Sequence, residues 1–224
     1  MIISKIVKVL PSLVIIGLLV FGIFYLQKKL EETRILKEVI QRLSSDSRVA
    51  EVLVTKNELD ESTGKIRTTL KFLEFDTEGR PLAPKYFTFE GNIIQFQSLV
   101  VRFDDRLVQA GDRLRGRSAY LFLKAFSLDS EPPQIFDITE AHQIPSGYKI
   151  PGIRSDFETR LWKEFWNYAL SPSLRHQAGV KNAQIEAPGS LFVPGTIYLL
   201  KIEHDGGIRI DTEPVPEILK GEKL

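Results

Sequence analysis

The chain has 224 residues, with 30 lysines and arginines against 29 aspartates and glutamates, a net charge of +1 and no cysteine. A hydrophobic fraction of 43% is enough to build a core, so the chain is not a disordered one, and the near-balance of charge excludes the strongly basic surface that nucleic-acid binding needs. Without cysteine there is no disulfide framework, thiol nucleophile or thiolate zinc site, which leaves the redox compartment open.

Residues 1–8 form a short basic N-terminus. Val9 to Leu26 then runs without a charge, behind Lys5 and Lys8 and closed by Lys28 and Lys29. As a helix it is about 27 Å long, near the thickness of a hydrocarbon core, so a transmembrane helix is expected over 9–26. A cleaved signal peptide shares this pattern, but the run ends Phe21-Gly22-Ile23-Phe24-Tyr25-Leu26 with only Val20 and Gly22 approximating a cleavage site, which favours an uncleaved anchor. Positive charge is equivocal about orientation, with Lys28, Lys29, Arg34, Lys37 and Arg42 on the far side. A short basic N-terminus stays in the cytosol while long domains translocate, so the domain is expected outside, in the periplasm if the host is bacterial.

Gln27 to Leu43 lacks Gly and Pro and spaces Leu30, Leu36, Val39, Ile40 and Leu43 by threes and fours, which predicts a helical stalk over 27–44 ended by Ser44-Ser45-Asp46-Ser47. The face of Leu36, Val39, Ile40 and Leu43 either packs on the chain's own domain or meets a partner helix. Thr33 and Lys37 interrupt a strict heptad seam, so no coiled coil is claimed.

About 180 residues follow, which suit one sizeable domain or two small ones. Residues 48–150 read as β-rich: Val49–Thr55 and Ile66–Phe75 as a hairpin around a turn-rich link, then strands at Tyr86–Glu90, Ile93–Phe96 and Leu99–Phe103. Short links imply antiparallel order. Arg117 to Phe126 is too continuously apolar to show a period, and Ser118 as a cap tilts the reading toward a short helix. Gln134–Thr139 is a further strand between proline-marked loops.

Residues 151–212 belong to the same domain or to a small second module. Ser155 and Glu158 make a capping box for a helix that carries Phe157, Leu161, Trp162, Phe165, Trp166, Ala169 and Leu170 on one broad face, ended by Pro172. Two tryptophans a turn apart invite a stacking-ligand reading, but aromatics at helical spacing are usually core. Thr196–His204, Asp205-Gly206-Gly207 and Ile208–Thr212 form the clearest hairpin, and residues 213–224 are a tail.

No nucleotide-binding, zinc-protease or serine-hydrolase motif is present. His142, His176 and His204 fall in different elements, and Glu140 with His142 is too small a set for a metal. Asp104, Asp105 and Asp112 frame a loop with Arg113, Arg115 and Arg117, whose alternation would put three guanidinium groups on one side of an extended chain as an anion-binding site, unless they pair with those aspartates. No cofactor is implied.

The expected fold class is therefore α+β: an N-terminal transmembrane helix continuing into a stalk, a mainly antiparallel β-rich domain and one long amphipathic packing helix. The expected function is that of a single-pass envelope protein with a non-catalytic interaction or assembly role, its partners the bilayer and another envelope protein. A tethered lipid, glycan or anion-binding module is the alternative, and an anchored hydrolase a weaker one. This plan is similar in outline to bacterial envelope assembly components, with no motif that assigns a family.

Overall fold

The computed structural model describes residues 2–42, 48–76, 78–103, 118–150, 156–171, 173, 180–186, 188–203 and 207–217, the side chains of 2–14, 36–42, 48, 103, 118, 168 and 180–186 excepted. The chain divides into two compact units, residues 1–39 and 40–224. With two long helices and two antiparallel sheets among the described residues, the fold is α+β.

Helix α1 runs unbroken over Ile2–Arg42, joining the apolar run and the stalk in one element. Its described polar contacts are local: Lys29 Nζ pairs with Glu32 at 3.2 Å, and the Thr33 hydroxyl donates to the Lys29 carbonyl at 2.8 Å. The span expected over Val9–Leu26 is not carried at this level. Among the described residues no helix is long and apolar enough to cross a membrane.

The second unit contains two packed antiparallel sheets. The first has the order β10-β9-β1-β2-β3, from β1 (Arg48–Asp60), β2 (Lys65–Glu74), β3 (Lys85–Glu90), β9 (Thr196–Ile202) and β10 (Ile208–Pro214). The second has the order β6-β5-β4-β7, from β4 (Ile93–Phe103), β5 (Ser118–Ser127), β6 (Ile135–Asp137) and β7 (Val180–Glu186), while β8 (Gly189–Leu191) pairs with the start of β4. Alternation along each strand aims one row of side chains between the sheets. Val52, Leu70, Phe72, Phe89, Ile94, Phe96, Phe122, Phe192 and Leu200 form the buried centre. Phe72 of the first sheet stacks on Phe96 at 5.6 Å and meets Phe122 edge-on at 5.5 Å, both from the second sheet.

Residues 118–126, expected to be helical, are strand β5 instead. The continuous apolar run reflects burial on both faces, since Ala119, Tyr120, Leu121, Phe122 and Leu123 are all buried. A register shift opposite Gln97 and Ser98 leaves Leu123 as an extra residue. That bulge reverses the alternation, so Tyr120 and Phe122 on one side of it and Ala125 on the other all face the sandwich core. The bulged Leu123 carbonyl accepts the N–H groups of Ile138 and Thr139. Tyr148 then seals the rest of this edge: its hydroxyl accepts the Tyr120 N–H at 3.1 Å and faces the Tyr120 carbonyl at 3.2 Å.

Helix α2 (Asp156–Leu170) packs against β7 and supplies a third layer with Tyr148. Trp162, Phe165, Trp166 and Ala169 are buried, so both tryptophans are core. Trp166 Nε1 donates to the Gln143 carbonyl at 2.6 Å, and Tyr148 and Trp162 lie 5.3 Å apart. Ser155 of the expected capping box lies outside the described residues, and the buried Glu158 carboxylate accepts the Ile150 N–H at 3.4 Å.

The β3–β4 link carries the chain from one sheet to the other through Gly91, whose φ of +88° suits glycine. A Cβ there would meet Asp129 Cβ at 2.3 Å. Asp129 Oδ2 accepts the N–H groups of Asn92 and Ile93 at 3.0 and 3.1 Å, and the Ser127 hydroxyl donates to the Glu90 carbonyl at 2.8 Å. The β2–β3 link is held by Asp76, which accepts the N–H groups of Glu78 and Arg80, both at 2.9 Å, and the Arg80 side chain at 2.8 Å. Burial works against the Asp76 charge, but the bonds from the Arg80 backbone and side chain and from Glu78 outweigh it and hold the carboxyl below its ordinary value.

Four substitutions test these assignments. Trp166→Ala should lower stability by about 3–5 kcal/mol in chemical denaturation, as for a fully buried ring. Gly91→Ala should cost about 3 kcal/mol or more by combining backbone strain with overpacking. Gly64→Ala, at φ +69° with nothing within 4 Å, should cost about 1 kcal/mol. Asp76→Ala should cost about 1–3 kcal/mol at pH 7. Because the folded pKa is depressed, that contribution is present above the ordinary value of 3.8 and is lost as pH falls through the lower folded value. The gap between Asp76→Ala and the parent chain should therefore close in urea titrations below about pH 4.

Candidate interaction surface

The outer face of the second sheet is covered at one end and bare at the other. Near the covered end, Leu99, Val101, Ala119 and Leu121 point away from the sandwich core yet are buried, on the side of the α2 and Tyr148 layer. Toward the start of β4, outward positions become exposed: Gln97 and Gln95 are partly covered, and Ile93 is 41% exposed.

Strand pairing joins this end into one patch. Ile93 is the register partner of Leu191 on β8, and its carbonyl accepts the Leu128 N–H at 2.9 Å. Leu128 is 51% and Leu191 54% exposed. In the next row, Ile135 of β6 faces the half-buried Phe126 of β5, Phe126 faces Gln95, and Gln95 faces Gly189. Ile135 is 59% exposed. A Cβ on Gly189 would sit 3.2 Å from the Gln95 side chain and 3.4 Å from Leu128 Cδ1, which places both side chains over this glycine. The row beyond is polar, with Lys124 paired to Asp137 at 3.3 Å. Carboxylates border the aliphatic rows: Asp129 beside Leu128, Glu131 in the same loop, and Asp137.

Arg113, Arg115 and Arg117, with Asp104, Asp105 and Asp112, lie outside the described residues, as do Leu43, His176 and His204. Leu36, Val39 and Ile40 belong to α1 by backbone, and their side chains lie outside the description. His142 occupies a left-handed position, φ +66°, in the turn from Glu140 to Gln143. Among the described residues no group of three or more His, Cys, Asp or Glu stands close enough to hold a metal ion.

Sequence reasoning missed the aliphatic patch. Its signal was the doublets Ile93-Ile94 and Leu191-Phe192, in which alternation buries one partner and turns the other outward. No protein-family model, no curated protein and no solved structure matches the chain. The surface is described by its own chemistry: an aliphatic sheet face with carboxylates nearby, of the kind that offers shape and desolvation.

Proposed function

We propose that the chain is a single-pass membrane protein, anchored through Val9–Leu26, whose sandwich domain lies outside the cytoplasm and has a non-catalytic interaction or assembly role in an envelope. The observation that carries the anchor is the state of α1. From Ile15 to Leu26 its large apolar side chains, on every side of the helix, are between 50% and 70% exposed. A helix apolar all round needs a core or a bilayer around it, and the chain itself covers none of these residues well. The uncharged sequence extends back to Val9, which makes the run long enough to span. Beyond it, residues 27–42 continue the same helix.

The interaction role is supported by the aliphatic face of the second sheet, since water-facing isoleucine and leucine side chains gathered at one end of the sheet suit a partner surface.

Fractionation and labelling test the reading. The full chain should stay in the membrane pellet after alkaline carbonate extraction, and its release into the supernatant overturns the anchor. In the cysteine-free chain, Ser62→Cys in the exposed β1–β2 turn should react with a membrane-impermeant maleimide once any outer barrier is permeabilised. Reaction only after inner-membrane lysis would place the domain in the cytosol.

A further inference from the structure

We infer that the aliphatic face formed by Ile93, Leu128, Ile135 and Leu191 docks a single amphipathic segment of a partner protein, with basic residues flanking its apolar stripe; this rests on the interaction role proposed above. The four side chains and the half-buried Phe126 expose on the order of 400 Å², the size of a typical largest surface patch. A stable dimer needs about 800 Å² from each subunit, twice what this face offers. Four strands, β6, β5, β4 and β8, span about 14 Å at ordinary strand spacing, which seats one helix about 10 Å across.

Charge separates the remaining occupants. The segments that build the face, residues 93–97, 124–137 and 189–193, carry Lys124 against Asp129, Glu131 and Asp137. Lys124 is paired with Asp137, while the Asp129 carboxylate, which accepts the Asn92 and Ile93 N–H groups, lies beside Ile93 and Leu128, and Glu131 is exposed in the same loop. A second copy docked here would set one net-acidic face against another of the same sign. An anionic bilayer surface would be repelled by the same carboxylates. A segment bearing Lys or Arg beside its apolar stripe satisfies both the aliphatic rows and the carboxylates.

The test uses the full chain in neutral detergent, with fluorescently labelled amphipathic peptides of leucine and lysine and counterparts of leucine and glutamate as probes, and empty micelles subtracted. The lysine peptide should bind at least tenfold more tightly than the glutamate peptide. Leu128→Glu with Leu191→Glu should weaken it at least tenfold, while Glu131→Gln should narrow the preference between peptides. Far-UV circular dichroism confirms that each variant is folded, and Leu59→Glu, on the exposed hairpin, serves as the surface control that leaves binding unchanged. Equal binding of the two peptides, or binding indifferent to the double substitution, overturns the inference. Self-association lost in the double variant replaces it with a dimer, and binding to anionic vesicles lost in that variant replaces it with a membrane surface. Photo-cross-linking from residues 128 and 59 in membranes separates the two readings. Protein adducts from residue 59 with no peptide discrimination overturn this inference alone, whereas no protein adduct from either position overturns the interaction role as well.

Discussion

The contact of Phe72 with Phe96 and Phe122 is what makes two sheets into one domain. Neither sheet covers its own inner face, so each depends on side chains from the other to exclude water. The phenylalanines extend this contact in both directions. Phe96 meets Phe192 at 5.6 Å, and Phe136 of β6 lies edge-on to Phe89 of β3 at 5.0 Å. Each pair joins elements distant in sequence, and direct pairing of β1 with β9 brings the N-terminal and C-terminal strands into the same core.

Two tyrosines finish what the strands leave open. Tyr148 takes the position of an absent neighbour beside β5 by bonding both backbone groups of Tyr120. Tyr198, from β9 of the first sheet, donates to the Leu191 carbonyl at 2.9 Å and accepts the Val193 N–H at 2.8 Å, which ties β8 to the opposite layer. In both cases a buried aromatic body fills the core while its hydroxyl satisfies backbone that no ladder reaches. The corner at Gly91 works by the same economy of backbone groups, with Asp129 accepting two N–H groups where the chain crosses between sheets.

The outer face of the second sheet is not uniform: Leu99, Val101 and Leu121 at one end are buried, whereas Ile93, Leu128 and Leu191 at the other are exposed. The same sheet face therefore changes from core to surface along a single strand. An α1 whose apolar side chains from Ile15 to Leu26 are exposed and a sheet face with Ile93, Leu128 and Leu191 exposed are both surfaces that water alone does not favour.

Local pattern was enough for the strands whose two faces differ. Val49–Thr55 with Ile66–Phe75, and Thr196 onward with Ile208 onward, alternate because one face meets the core, and their links are short, so pairing and direction were legible. The α2 face was legible for the equivalent reason at a period of 3.6, with Trp162 and Trp166 a turn apart. Residues 118–126 were not legible, because a strand buried on both faces and interrupted by a bulge loses its period, and neither the α2 layer nor the Leu123 bulge is a local property. The aliphatic patch was hidden for a related reason: Ile93, Leu128, Ile135 and Leu191 are far apart in sequence, and only strand pairing makes them neighbours. Sequence by itself determined the class α+β, the charge-free run and the periodic elements, since these depend on residues within a turn or a strand of each other. Tertiary structure alone decided the sheet order, the burial of β5 and the bare face, since each depends on which distant segment arrives to cover a surface.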